Sequence, residues 1–308
     1  MPGQILGEME VQPAPGPERD AVLYGLTKRG FFSEINMLVS NLAYAMAAGE
    51  DLYLDDSGLV TRWSELLQPT LPMAAELRRE QYRRVVVCHP KVDRALWDER
   101  VRSVKENCDA GLKVDLPAAG FHGTWMELLV RLSRDVFKPR ADILATADRL
   151  QAELGLDQPF YAVHIRRGDK TTGYLKSNGV LRVEGAAVPF DAYAEAAATL
   201  APGLRRVFVL SDDYREVAEA QAQHPQLELI TLCTPEEQGY YQDDFLALRR
   251  DEQLRSLRRL IVEVLIAARS AAFIGLYRSN VSLMVAALHP HPDKCASVDQ
   301  AKAWTLMT

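Results

Sequence analysis

The stretch Phe160-Tyr-Ala-Val-His-Ile-Arg-Arg-Gly-Asp-Lys170 decides how the rest of the chain is read. Its first half follows Pro159 and is apolar and β-prone, the pattern of a buried strand. Its second half gathers two guanidiniums, a carboxylate, an ammonium and a glycine into the turn that follows. In an open α/β sheet, ligands bind outside the carboxyl ends of the strands. Paired arginines at such an end suit a phosphorylated ligand, because the guanidinium fork fits phosphate oxygens bidentately. The same residues also fit a surface salt-bridge cluster, and the stretch alone leaves both readings open.

Working outward, strand and helix patterns alternate on the C-terminal side. A helix is expected over about 190–201, a strand over Arg206 to Leu210 ending in Ser211-Asp-Asp213, and a helix over about 214–223. Then come a strand over Leu227 to Leu232, a long helix over about 252–269, a strand over Ala272 to Leu276 and a helix over about 279–288. This order implies a parallel, doubly wound sheet. On the N-terminal side, Val22-Leu-Tyr24 reads as a strand and Arg29-Gly-Phe-Phe-Ser-Glu-Ile-Asn36 opens a helix with Ser33 as N-cap. Leu52-Tyr-Leu-Asp55 and Arg84 to Cys88 read as strands, 61–83 as mixed and helical around Pro69 and Pro72, and 91–118 carries no clear period. Trp125 to Phe137 and the segment after Pro139 read as helices, with Gly155 closing the second. Residues 1–20, rich in proline, read as a disordered leader, and the rest as two α/β domains, 21–150 and 151–308, meeting at a cleft.

The composition narrows the function classes. The chain has 308 residues, 48% hydrophobic and 25% charged, with a net charge of -6, which argues against a bulk nucleic-acid or anionic-membrane partner. No window reaches the length of apolar sequence that spans a bilayer, and no signal-peptide pattern opens the chain, so a cytoplasmic protein is expected. The four cysteines (Cys88, Cys108, Cys233, Cys295) form no CxxC pair and, with six scattered histidines, no zinc spacing, so no metal site is expected. Neither a GxxxxGK[ST] phosphate loop nor a GxSxG elbow occurs. The tripeptide Arg167-Gly-Asp169 matches a cell-adhesion signal, a pattern that recurs by chance.

Three strand ends of the second half carry polar groups: His164/Arg166/Arg167/Asp169/Lys170, Ser211/Asp212/Asp213, and Tyr277/Arg278/Ser279/Asn280. A parallel sheet brings them to one edge. Ser279 and Asn280 open a helix whose N–H groups favour a phosphate, although simple capping also explains Ser279. Glu263 interrupts the apolar run Leu260-Ile-Val-Glu-Val-Leu-Ile266. A buried carboxylate there needs a core arginine or a ligand's donors, unless it turns to solvent. The N1–H and N2–H₂ pair of a guanine ring is one such donor set.

On these residues the chain resembles the α1,6-fucosyltransferase-like family, which shares a His-x-Arg-Arg-x-Asp-Lys motif. The resemblance runs in order through a Trp-containing helix, Lys138-Pro-Arg140, His164 to Lys170, Ser211-Asp-Asp213, Glu263 and Ser279-Asn-Val281. It spans roughly residues 122–290, with a weaker echo at 30–56, where Phe31-Phe-Ser-Glu34 replaces a more glycine-rich turn. It implies a GT-B fold of two Rossmann-like domains facing a cleft, the first toward the acceptor and the second holding the donor. It further implies an inverting, metal-independent transfer of fucose from GDP-fucose to a glycan or related hydroxyl acceptor. By position, Arg166 holds the β-phosphate with Ser279 and Asn280, and His164 and Glu263 contact guanine. Asp212 or Asp213 contacts guanine or ribose, Asp169 and Lys170 shape the site, and Tyr193 lies near the donor. Glu184, nine positions before Tyr193, is the candidate general base. The alternative reading is a GDP-sugar-binding protein that lacks transfer activity.

Overall fold

Val22-Leu-Tyr24 lies within a strand that begins at Asp20, and the helix behind it begins at Phe31 rather than at Ser33. Phe31 and Phe32 are themselves buried, which starts the apolar face a turn earlier and puts Gly30 at the N-cap, with no side-chain cap bond. The computed structural model describes residues 18–109, 111–175, 181–183 and 185–299. Most of the expected leader, residues 1–17, lies outside the described residues, as does Glu184.

The first sheet has three parallel strands, β1 (Asp20–Gly25), β2 (Asp51–Asp55) and β3 (Arg84–Cys88), in the order β2-β1-β3, with α1 (Phe31–Ala48) joining β1 to β2. Between β2 and β3 the chain is irregular, with three single 3₁₀ turns where a mixed helical segment was expected. The segment without a clear period holds a helix, α2 (Arg94–Asp109), and an antiparallel pair, β4 (Lys113–Leu116) and β5 (Phe121–Thr124). α3 (Trp125–Val136) follows, its start fixed by a capping box between Thr124 and Glu127. α4 (Ala141–Glu153) comes next, and Gly155 beyond it has φ +66°.

The second sheet has five parallel strands: β6 (Tyr161–Ile165), β9 (Arg206–Ser211), β10 (Glu228–Thr231), β11 (Phe273–Gly275) and β12 (Cys295–Ser297). A two-residue antiparallel pair, β7 (Tyr174–Leu175) and β8 (Leu181–Arg182), stands apart from it. Its order is β10-β9-β6-β11-β12. The connecting helices are α5 (Asp169–Thr172), α6 (Phe190–Leu200), α7 (Tyr214–Gln223), α8 (Gln242–Ala247), α9 (Arg250–Ala267) and α10 (Asn280–Leu288). From β6 the chain first builds outward through β9 and β10, then crosses to β11 on the other side. That reversal places the topological switch point, and hence the ligand crevice, at the carboxyl end of β6.

All five residues of β6 are buried, which is why it reads as one apolar run rather than an alternation. Its two faces still divide. Tyr161, Val163 and Ile165 pack with Phe190, Tyr193 and Val217 on one side. Ala162 joins Phe208, Ile261 and Val285 on the other, in a core that continues through Phe137 and Leu38 to Val22 and Leu54 of the first sheet. Helices α1 and α3 pack on α10, and α4 packs on α9, so one apolar core joins the two sheets and holds them at a set angle.

The turn after β6 depends on a glycine. Gly168 has φ +59°, and a Cβ there would meet the Tyr240 carbonyl oxygen at 2.2 Å. Gly168→Ala is therefore expected to destabilise the fold by about 2 kcal/mol or more, read as a lower urea midpoint. A midpoint unchanged from wild type contradicts this packing.

Candidate functional site

The carboxyl ends of β6, β9 and β11 open on one cleft of about 1590 Å³, closed on its far side by the turn between β1 and α1. The expected site residues that line it are His164, Arg166, Asp169, Lys170, Asp212, Glu263, Ser279 and Asn280. One cleft therefore holds groups that lie more than a hundred residues apart in the chain.

The two arginines of the motif divide their work. Arg166 enters the cleft. Its Nη2 donates to Asp169 Oδ1 at 2.7 Å, it forms an ion pair with Asp212, and its guanidinium lies over the Tyr240 ring, 5.0 Å from the centroid. Arg167 turns away and donates to Glu216 Oε2 at 2.7 Å and to the Val188 carbonyl at 2.8 Å. Asp169 acts on Arg166 and does not stand alone in the cleft.

Asp212 faces the cleft, but its acceptors serve the protein. Oδ1 accepts the Arg167 N–H at 2.8 Å and Oδ2 accepts the Tyr240 N–H at 3.1 Å, beside the Arg166 pair. Asp212 thus clasps two loops while its side chain still lines the cleft. Asp213 is reassigned. Its carboxylate caps α7, accepting the Arg215 N–H at 3.0 Å and Nε at 2.9 Å, and does not line the cleft. Tyr193, expected near the donor, is fully buried beside Phe190 in the core on the opposite face of the sheet.

His164 and Glu263 are buried at the cleft wall. His164 Nδ1 lies 2.7 Å from Ser282 Oγ, which also accepts the Leu276 N–H at 3.1 Å. Burial, with the Arg166 charge nearby, lowers its pKa to about 3, so the ring is neutral at physiological pH. That contact needs Gly275, where a Cβ would meet Ser282 Oγ at 2.6 Å. Glu263 is 4% exposed, and its Oε1 has no hydrogen-bond partner. The nearest cation, Arg259, lies 3.7 Å away and is itself paired with Glu237. Burial outweighs that cation and raises the Glu263 pKa to about 7. Of the three fates open to Glu263 from sequence, the structure excludes the solvent-facing one: the carboxylate is buried at the cleft wall, with Arg259 3.7 Å away and Oε1 without a hydrogen bond.

α10 completes the wall. Its N-cap, Ser279, makes no side-chain cap bond, and Ser279, Asn280 and Val281 all face the cleft. The first-turn N–H groups of a helix lack intrahelical partners and attract anions. Asn36 of α1 donates to Asn280 Oδ1 at 3.0 Å, which ties this helix start to the first sheet. Tyr240, Gln242 and Arg259 also line the cleft and were not foreseen, because they lie in a polar loop or on the outer side of a helix pattern and carry no motif. Among the described residues, no group of three His, Cys, Asp or Glu side chains is placed to hold a metal ion, and no helix is long and apolar enough to cross a membrane.

No protein-family model matches the sequence, and no curated protein matches it. Solved structures do. A NodZ alpha-1,6-fucosyltransferase soaked with GDP-fucose is 16% identical, with a TM-score of 0.51 over 89% of this chain and 93% of that one. Fucosyltransferase NodZ from Bradyrhizobium is 16% identical, with a TM-score of 0.50 over 89% and 94%. A mutant of Arabidopsis thaliana FUT1 in complex with GDP is 10% identical, with a TM-score of 0.52 over 91% and 70%. The chain thus has the GT-B fold of these enzymes, as the motif resemblance implied.

The raised pKa of Glu263 makes stability depend on pH. Between about 4.5 and 7 the unfolded chain ionises Glu263 while the folded protein keeps the proton. Stability from this group therefore falls as pH rises through that window, by on the order of 3 kcal/mol, and is level above it. Urea midpoints measured from pH 5 to 8 should show Glu263→Gln gaining on wild type as pH rises. A constant difference between the two would mean that Glu263 is ionised throughout.

Proposed function

We propose that the protein is an inverting, metal-independent glycosyltransferase that moves fucose from GDP-fucose to a hydroxyl of a glycan or related acceptor. The observation that carries this reading is Glu263. An acceptor oxygen without a hydrogen bond, buried in the same cleft as an arginine and a helix N-terminus, suits a ligand with a donor face at one end and an anion at the other. A guanine ring and a diphosphate supply those two ends. The neighbours of the same fold that hold GDP or GDP-fucose support the choice.

In this reading the guanine N1–H and N2–H₂ donate to Glu263, which is ionised when the base is bound. The diphosphate lies between Arg166 and the first turn of α10, and His164, expected at guanine, is neutral and held by Ser282. As the bond from the fucose anomeric carbon to the β-phosphate oxygen breaks, negative charge gathers on the departing GDP. Arg166 meets that charge in a fixed orientation, because Asp169 and Asp212 hold the guanidinium from two sides. Lys170 adds positive charge at the cleft. The acceptor hydroxyl attacks the opposite face of the sugar and gives its proton to a base, the role proposed for Glu184, so the configuration inverts. Arginine and the helix N-terminus supply the charge that a divalent cation supplies elsewhere.

Calorimetry against GDP, GDP-fucose, GDP-mannose and UDP-sugars tests the donor, and GDP release over an acceptor panel with and without EDTA tests the reaction. Selective GDP-fucose binding and EDTA-insensitive turnover are expected; turnover lost to EDTA removes the metal-free step. Binding of GDP with no transfer to any acceptor leaves the binding-protein reading instead. Arg166→Ala is expected to weaken GDP by about ten- to a hundredfold while unfolding stays cooperative, and full affinity in that variant removes the assignment. Because GDP selects ionised Glu263, whose pKa is about 7 in the empty cleft, affinity should rise from pH 6 to 8 with proton release. Glu263→Gln should flatten that profile. Glu184→Gln should lower turnover more than GDP affinity, and a fully active variant excludes it as the base.

A further inference from the structure

The turn between β11 and α10 is held from the edge of the sheet. β12 pairs with β11 in parallel, Ser297 opposite Gly275, and the chain leaves β12 toward Asp299. Asp299 Oδ1 accepts the Tyr277 N–H at 2.7 Å and the Ser297 hydroxyl at 2.5 Å. Its Oδ2 accepts the Arg278 N–H at 3.3 Å. The next N–H, of Ser279, is donated to the Leu276 carbonyl at 2.9 Å. Three successive N–H groups of the turn are therefore committed within the protein, and Asn280, which follows them, opens α10 at the cleft wall. Asp299 itself reaches the cleft wall.

We propose that Asp299 is a positioning residue: by holding the Tyr277 and Arg278 N–H groups toward the sheet edge, it aims the first turn of α10 at the diphosphate of the bound nucleotide. This rests on the donor reading given above. A carboxylate near a diphosphate has an electrostatic cost, so its presence there calls for a compensating role. Orientation is that role, because a carboxylate alone among side chains of this length accepts two adjacent N–H groups with separate oxygens. The two effects have opposite signs, which makes them separable. Asp299→Asn keeps the shape and removes the charge, but turns an N–H₂ donor toward one of the two N–H groups.

The test is the affinity of wild type and Asp299→Asn for GDP and for guanosine, by calorimetry. If Asp299 positions the turn, the substitution weakens GDP about tenfold and leaves guanosine within twofold. Ser297→Ala removes the hydroxyl that donates to Oδ1 and also accepts the Tyr277 N–H at 3.1 Å, and with Asp299 still in place it should weaken GDP in the same direction by less. Unchanged or tighter GDP binding in Asp299→Asn overturns the proposal, since charge alone would then be at work. Equal losses for GDP and guanosine overturn it too, because they mark a general structural role. If wild type binds guanosine as tightly as GDP, the diphosphate cradle itself is wrong and the inference falls with it.

Discussion

The cleft depends on one carboxylate. Asp212 leaves the end of β9 and accepts N–H groups from the β6 turn and from Tyr240 in the loop before α8, while pairing with Arg166. Gly239 donates its N–H to the Asp212 carbonyl at 2.7 Å, so the same residue grips the second loop twice. Gly168 and Gly239 have positive φ and approach each other at this point, where side chains would collide. The clasp brings Tyr240 over Arg166 and fixes the direction of the guanidinium. A surface ion pair of this kind contributes little; here the partners are largely buried, and both carboxylate oxygens are also held by backbone donors. Arg166 is thus aimed before any ligand arrives.

This clasp also shows where sequence reading stops. The alternation of apolar strands and amphipathic helices from residue 160 onward was legible because each element buries one face, and the period of that face is written in local spacing. Glu263, within α9, was brought to the cleft by the family resemblance, whereas the convergence of His164, Arg166 and Ser279 was legible because parallel strands put all their carboxyl ends on one edge. Which of the charged residues at that edge face a ligand was not. Asp212 and Asp213 are neighbours of the same type, yet one clasps loops and the other caps a helix. Arg166 and Arg167 are neighbours too, and only one enters the cleft. Those choices are made by partners remote in sequence, Tyr240, Glu216 and Arg215 among them, and no local pattern encodes them. Tyr193 failed for a related reason: a tyrosine on an amphipathic helix reads the same whether its ring meets a ligand or a core. The stretch between β2 and β3, expected to be mixed and helical, forms only single 3₁₀ turns, and the β4–β5 pair was missed because strands of four residues are too short for their alternation to stand out.

Two buried groups in the cleft wall take opposite positions toward charge. His164 is kept neutral by burial and by the cation beside it, and it pays no ionisation cost near an arginine. Glu263 is held near its titration point by burial against a cation that is already engaged by Glu237. A carboxylate satisfied within the protein would be more stable but would have nothing to offer a ligand. One left fully unpaired would stay protonated and would present a donor where an acceptor is needed. Glu263 sits between these limits, with one oxygen free of hydrogen bonds and a cation 3.7 Å away.

The same balance explains why the cleft is built across two sheets rather than within one. A helix N-terminus offers donors only if its direction is fixed. α10 is held from three sides: by Asn36 of the first sheet's helix, by Ser282 against His164 and Leu276, and by the turn that Asp299 grips. Each contact comes from a different part of the chain, so none suffices alone. The first sheet therefore does more than face the second across a cleft. Through α1 it reaches Asn280, the residue that opens α10. A rotation of one sheet against the other must break the Asn36–Asn280 bond or move the helix start with it.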